Sequence, residues 1–491
     1  MSLHLIEEKC ILPPHPLNCA PVLIKWPHLL RRDVAVDMGI LLFLIGAIME
    51  IVLALWAIRN ARTDRNWRRN RLIVRAVEFA TILITFLLPI GQKWRLMPAL
   101  LLSLLLLVIA VVVWLVHKKA ANRKKKTAHV IVGCILNIAL FFVILTPAFV
   151  FSGYKGLGVT GSYDVAHADV ILVDESRVDP FESDGSKREV PVHFFYPDHA
   201  KGEESFPLIV FSHGAFGYYE SNFSTYEELA SNGYVIAALD HPHHAFFTHD
   251  TEGKLVLVDQ NFLNTAIAVS NEAEYEEDKL HAIENEWMQV RVPDLDFVIT
   301  AIKEAKDAGA LSPVWVLSGT SPATIAEITN VTNAGKIGVM GHSMGGATSV
   351  QIGRERDDID AVIDIDGTML GEYIRGEDGT YTVSTLPYSL PILEFVNWAT
   401  YNELADISAK GIMYPNEVLM ANADEGFRVT VRDTEHMDFT DLPILSPFLG
   451  KMLGSGSRDT KETMTIVNGL ILDFYNCYLK GQESFHPQEI Y

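Results

Sequence analysis

Four long apolar runs open this chain, at residues 36–58, 72–91, 97–117 and 128–151. Each is close to the ~20 residues that a helix needs to cross ~30 Å of hydrocarbon. The third carries no charged side chain between Leu100 and Val116. One such run would suit a buried helix of a globular core. Four in succession, separated by short charged loops, do not. The first also starts too late, and is followed by too many others, for a signal peptide. The expectation is an N-terminal segment, 1–34, then an all-α, four-helix transmembrane anchor over 35–152.

The loops orient the anchor. Arg59, Arg62, Arg65, Arg68, Arg69 and Arg71 follow the first run, and Lys118, Lys119, Arg123, Lys124, Lys125 and Lys126 follow the third. Between the second and third stand only Lys93 and Arg95. Basic loops stay in the cytoplasm. This predicts a multi-pass protein of the cell membrane, with the N-terminus and everything after Phe151 extracytoplasmic. Glu50, Arg75 and Glu78 lie within the runs, Glu50 and Arg75 at similar depths from the cytoplasmic edge. No chain of such groups crosses the bilayer. An interhelical ion pair therefore fits them better than a proton path.

Charge separates the two halves. The first 150 residues hold 19 Lys and Arg against 7 Asp and Glu; the remainder holds 21 against 54. So acidic a second half argues against nucleic acid as a partner, because phosphates need positive groups. A hydrophobic content of 49% excludes a disordered chain. Of four cysteines, Cys10, Cys19, Cys134 and Cys477, only the last lies in the second half. That half can form no internal disulfide and must rely on its core.

Beyond the anchor, short β-rich runs alternate with amphipathic stretches. Strands are expected at 170–173, 190–195, 208–211, 235–239, 336–340, 361–365, 392–395 and 428–431. Helices are expected at 226–232, 292–308, 345–354 and 461–479. Several strands are almost wholly apolar, as in a parallel sheet covered on both faces. Residues 245–290, rich in acids, read as an insertion beside the sheet of a domain spanning 165–491.

Gly341-His342-Ser343-Met344-Gly345 matches G-x-S-x-G between a predicted strand and a predicted helix. That context makes it a nucleophile elbow on an α/β-hydrolase fold, with Ser343 as nucleophile. A serine hydroxyl needs a base, and the base needs an orienting acid; here the chain order is Ser, acid, His. His436 follows the last predicted strand and is the expected base. Asp366 ends the strand after the elbow helix, and Asp364 would share its face. Asp366 is the favoured acid, with Asp364 as competitor and Glu394 third. Many hydrolases carry the acid one strand later, but that strand runs into Val396-Asn397-Trp398.

Strand 208–211 ends in Ser212-His213-Gly214-Ala215-Phe216-Gly217. This is where the first oxyanion donor belongs: the N–H of Ala215, or of Phe216. The second is the N–H of Met344. His213 reads as a brace for this loop. Asp240, His241, His243, His244, His249 and Asp250 cluster beyond the next strand. Without an H-E-x-x-H helix or a cysteine pair, they read as rim or structural residues rather than as a metal site.

Together these stretches resemble the platelet-activating factor acetylhydrolase family. The resemblance covers roughly 165–480, carried by Phe211-Ser212-His213-Gly214, the run 229–238, the run 341–348, and the Asp366 and His436 segments. It implies a serine-dependent lipase of the phospholipase A type, an acid directly after the post-elbow strand (favouring Asp366), and no metal or other cofactor. The anchor and the rim at 240–250 depart from the better-known secreted members. Polyester and cutin hydrolases share parts of the pattern. The expected function is a membrane-anchored serine ester hydrolase acting on lipid or lipophilic esters. A non-catalytic sensor or transporter would not need an intact Ser343–Asp366–His436 set. A peptidase or acyltransferase could use the same machinery.

Overall fold

Burial of β3 (Phe206–Ser212) on both faces explains its sequence, Phe-Pro-Leu-Ile-Val-Phe-Ser, in which every residue is buried. Leu208 and Val210 face one apolar cluster, Ile209 and Phe211 another. The computed structural model describes residues 34–59, 64–88, 93–117, 126–151, 156–198, 205–270, 275–317, 320–411, 413–482 and 484–491. Cys10, Cys19 and most of the basic loop 118–126 lie outside the described residues. The chain divides into two compact units, Met1–Leu83 with Leu102–Ala148, and Ile84–Leu101 with Phe149–Tyr491.

Helices α1 (Val34–Arg59), α2 (Asp64–Leu87), α3 (Met97–Val116) and α4 (Thr127–Val150) cover the four apolar runs. Among the described residues, three segments are long and apolar enough to cross a membrane: Gly39–Arg59, Lys93–Val116 and Thr127–Val150. Helix α2 falls short of that measure because it carries Arg65, Arg68, Arg69, Arg71, Arg75 and Glu78. In the first unit, Leu53, Ala54, Ala57, Trp67 and Val130 pack together. Leu41, Leu44, Ile48 and Val52 of α1 and Leu104, Leu105 and Val112 of α3 instead turn outward. Outward apolar faces on this scale suit a nonaqueous surrounding. Buried Arg75 pairs with Glu50 and, at 2.5 Å, with Glu78; Asn137 Nδ2 donates to Glu50 Oε2 at 3.2 Å. The helices thus pair these charges with one another.

The second unit is built on a nine-stranded sheet. Its strands are β1 (Val165–Val178), β2 (Lys187–Pro197), β3, β4 (Val235–Leu239), β7 (Trp315–Leu317), β8 (Thr332–His342), β9 (Ala361–Ile365), β12 (Ile392–Asn397) and β13 (Gly426–Val431). Two hairpins stand apart: β5 (Phe247–His249) with β6 (Leu255–Leu257), and β10 (Tyr373–Arg375) with β11 (Tyr381–Val383). The sheet order is β13-β12-β9-β8-β3-β4-β2-β1-β7. Strands from β13 to β4 are parallel, and β2, β1 and β7 are antiparallel.

Helices α7 (Glu277–Ala308), α8 (Pro322–Val331) and α9 (Met344–Glu355) supply one core, with Leu295, Ile328 and Val350. Helix α5 (Phe223–Ser231) and the C-terminal helix Thr460–Tyr478 supply the other, with Leu229 and Ile471. This is the expected α/β fold, and all eight predicted strands fall within observed ones. Two differences have local causes. Strand β7 has three residues, too few for periodicity to register. Helix α7 begins fifteen residues before the predicted 292, because its acid-rich start has little apolar periodicity. Residues 245–290 hold the β5–β6 hairpin, α6 (Gln260–Ser270) and the first turns of α7.

Candidate active site

Strand β8 and helix α9 meet at Ser343, whose backbone sits at φ 57, ψ −126. A non-glycine residue there costs on the order of 1–3 kcal/mol, so the surroundings must enforce it. They do: the Ser343 N–H donates to the Ile365 carbonyl at 2.8 Å. The flanking glycines are required by space. A Cβ on Gly345 would lie 1.9 Å from the Ser212 oxygen, and one on Gly341 2.2 Å from the Gly345 carbonyl carbon.

In the next parallel strand, Gly341 pairs with Asp364 and His342 with Ile365. Ser343 and Asp366 thus leave adjacent strands at the same edge. Alternation predicts Asp364 and Asp366 on one face, but β9 ends at Ile365 and Asp366 turns out at φ 58. Its carboxylate reaches His436: Oδ2 lies 2.6 Å from Nδ1. The His436 ring lies 4.6 Å from that of His342, the residue before the serine, and His342 Nε2 lies 3.2 Å from the His436 carbonyl oxygen. The structure therefore gathers Ser343, Asp366 and His436 at one sheet edge.

Asp364 and Glu394, the alternative acids, are engaged elsewhere. Asp364 Oδ1 accepts the Gly367 N–H at 3.0 Å; its Oδ2 has no hydrogen-bond partner among the described residues. Burial, aided by Glu394 and Asp366, pushes this carboxyl well above the ordinary aspartate range. Glu394 accepts from Arg428 at 2.6 Å and Asn416 at 2.7 Å. Asp366 behaves oppositely. Burial would raise it, but the hydrogen bond and charge of His436 and the donors of Asn397 bring it below its usual value. Asn397 gives its backbone N–H (2.7 Å) and its side-chain amide (3.1 and 3.0 Å) to Asp366. It also caps α10 (Trp398–Ala409) by accepting the Thr400 N–H. Sequence reading noted Asn397 only as a missing acid.

The loop after β3 abuts the serine: a Cβ on Gly214 would stand 3.3 Å from that of Ser343. The Phe216 N–H already donates to the His244 carbonyl at 3.1 Å, so the alternative donor is occupied. Among the described residues no backbone carbonyl accepts from Ala215. Met344, as the first residue of α9, has no intrahelical acceptor. His213 is a brace. Its Nδ1 lies 2.6 Å from the Gly214 carbonyl oxygen and its Nε2 accepts the His241 N–H at 3.1 Å. Burial and the neighbouring Arg291 hold its pKa well below the usual value, so the ring is neutral. Arg291, fully buried, donates to the carbonyls of His213 (2.5 Å) and Gly214 (3.1 Å). Burial lowers even this guanidinium, to about 9. No local motif marked Arg291.

Three histidines of the cluster, His241, His243 and His244, are absorbed into structure, whereas His249 is exposed. His241 links Ser212 Oγ (2.9 Å) to Asp294 (3.0 Å), which pairs with buried Arg188 at 2.8 Å. His244 stacks on Phe262 at 3.8 Å, and His243 on Phe181 at 4.7 Å. Nearby, His193 lies between Asp169 (2.7 Å) and Asp240 (3.3 Å). Among the described residues no three His, Cys, Asp or Glu converge as metal ligands.

A parallel-centred sheet whose middle strand delivers a serine at positive φ into a helix defines an α/β hydrolase. The chain belongs to the family described as platelet-activating factor acetylhydrolase, isoform II, which matches residues 185–489. It is 24% identical over 291 residues to the platelet-activating factor acetylhydrolase of Canis lupus familiaris, covering 57% of this chain and 59% of that protein. To that of Gallus gallus it is 25% identical over 311 residues, covering 58% and 65%. The chain thus spans less than two thirds of these curated relatives. Among solved structures, a ferulic acid esterase from Streptomyces cinnamoneus aligns with a TM-score of 0.48 at 20% identity, over 67% of this chain and 95% of that one.

Proposed function

We propose that this protein is a membrane-anchored serine ester hydrolase acting on lipid or lipophilic carboxylic esters through an acyl-enzyme. The observation that carries the reading is the 2.6 Å contact of His436 with Asp366 beside the strained Ser343 turn. Ser343 Oγ attacks the ester carbonyl as His436 takes its proton. The new O–C bond leaves a tetrahedral carbon whose oxyanion accepts the N–H groups of Ala215 and Met344. Loss of one such donor costs ~3–4 kcal/mol in well-studied cases. His436 then returns the proton to the departing alcohol as its C–O bond breaks. Water, deprotonated by His436, releases the acid and restores Ser343. Asp366 keeps the imidazole oriented and stabilises its cation. The names of the relatives, acetylhydrolases, support the ester chemistry.

The anchor would be residues 35–152 and the catalytic domain 165–491. Counting α2 as a crossing gives four spans, since its buried Arg75 is paired with Glu50 and Glu78. The basic loops then lie inside and the catalytic domain outside. Tethering presents membrane esters at high effective concentration. The excess of acids disfavours anionic headgroups.

A fluorophosphonate probe tests the chemistry on the full chain in membranes. Wild type should label and Ser343→Ala should not. An unlabelled wild type overturns the enzyme reading, and equal labelling overturns the nucleophile. Protease added to intact cells should remove the catalytic domain; protection overturns the orientation.

A further inference from the structure

Residues 245–290 pack against the two oxyanion residues. Phe262, Ala266 and Trp287 are buried with Met344, and Ala215 and Phe216 lie partly buried against them. Phe262 and Ala266 share a face of α6, one turn apart. The Phe262 ring meets Trp287 edge-on at 5.5 Å and Phe216 at 6.1 Å. Hydrogen bonds hold the segment in register with the loop after β3: Phe216 N–H to the His244 carbonyl, Phe246 N–H to that of Gly217 (2.9 Å), and Val258 N–H to that of Phe246 (3.2 Å). Asp259 caps α6 through the Phe262 N–H at 2.8 Å. The wall is therefore fixed to the oxyanion loop.

The sheet order sets what this wall faces. From β8, which carries Ser343, the acid and base lie toward β9, β12 and β13, whereas Ala215 and α6 follow β3 and β4. His436 must protonate the alcohol oxygen, so the alcohol departs on the β9 side. The acyl group stays on Ser343, its oxygen held by Ala215 and Met344. We propose that α6 and the start of α7 form the acyl-chain wall, with Phe262, Ala266 and Trp287 as specificity-determining residues for an extended apolar acyl group. This rests on the ester-hydrolase reading above.

The test uses the full-length protein in detergent and p-nitrophenyl esters from acetate to palmitate. Ala266→Phe should lower kcat/KM for long acyl chains at least about ten-fold relative to acetate, the scale on which apolar pockets discriminate. Acetates of increasingly long alcohols should keep their wild-type ratios. Phe262→Leu and Ala266→Val serve as gentler changes and should shift the acyl profile in smaller steps. A wild-type acyl profile in all three variants, each still labelled by the fluorophosphonate, overturns the acyl wall and leaves the hydrolase reading standing. A shift confined to the alcohol series overturns the acyl assignment. A wild type that takes up no probe counts instead against the hydrolase reading.

Discussion

Asn397 donates its side-chain amide to both carboxylate oxygens of Asp366, at 3.1 and 3.0 Å, and its backbone N–H to Oδ1 at 2.7 Å. Its place, the end of β12, is where many hydrolases carry the acid itself. Here that strand end hydrogen-bonds the proposed acid, Asp366, borne by its neighbour. Asn397→Ala should lower kcat about ten- to a hundred-fold with little change in KM, the worth of hydrogen bonds to a charged group. Asn397→Asp would set a second carboxylate against Asp366, raising its pKa and moving the acid limb of the pH–rate profile upward. Unchanged profiles in both variants would refute the positioning role.

The adjacent acids should separate cleanly. Asp366→Asn should cost on the order of 10⁴ in kcat, as when a triad loses its orienting carboxylate. Asp364→Asn should stay within about ten-fold of wild type, because a carboxyl kept neutral by burial loses no charge, and the change costs about 1–3 kcal/mol of stability through an unsatisfied amide. Parallel steady-state kinetics decide it; comparable losses would make Asp364 the working acid.

Arg291 ties the loop after β3, the proposed source of an oxyanion donor, to α7 through the carbonyls of His213 and Gly214. Arg291→Met should remove both bonds, each worth about 1.5–3 kcal/mol. The expected result is a lower melting temperature and a fall in kcat. Arg291→Lys should recover part of the melting temperature and less of the rate, because one ammonium cannot reproduce the two-pronged grip. Wild-type kcat in Arg291→Met would refute the link.

His193 gives a pH dependence of stability. Burial would lower its pKa, but hydrogen bonds to Asp169 and Asp240 raise it to about 9. A histidine raised by folding stabilises fully below its unfolded value, ~6.5, and loses that contribution as pH climbs to 9. Melting temperature should fall across this window, from a contribution of about 3 kcal/mol at its low end. His193→Gln should flatten the slope. An equally steep slope in the variant would assign it to other groups.

Much of this was legible in the chain because it is local. Apolar run length marked the helical segments, unbroken hydrophobicity marked the doubly covered strands, and the strand–turn–helix setting of Gly341–Gly345 marked the elbow. Alternation, also local, misplaced Asp366, since it cannot register that β9 stops one residue earlier.

The sequence by itself determined the α/β alternation, a candidate serine, and the candidates for its partners. Only the tertiary structure decided which carboxylate meets His436, that the Phe216 N–H is already occupied, and which groups His213 and His241 hold together. It also revealed Asn397 and Arg291, and the Arg188–Asp294 pair, whose members stand 106 residues apart in sequence. The physical reason is the range of the forces. Backbone geometry and apolar periodicity repeat within a few residues and leave a pattern in the chain. Hydrogen bonds and buried charge depend on groups that meet only when distant strands end at the same edge.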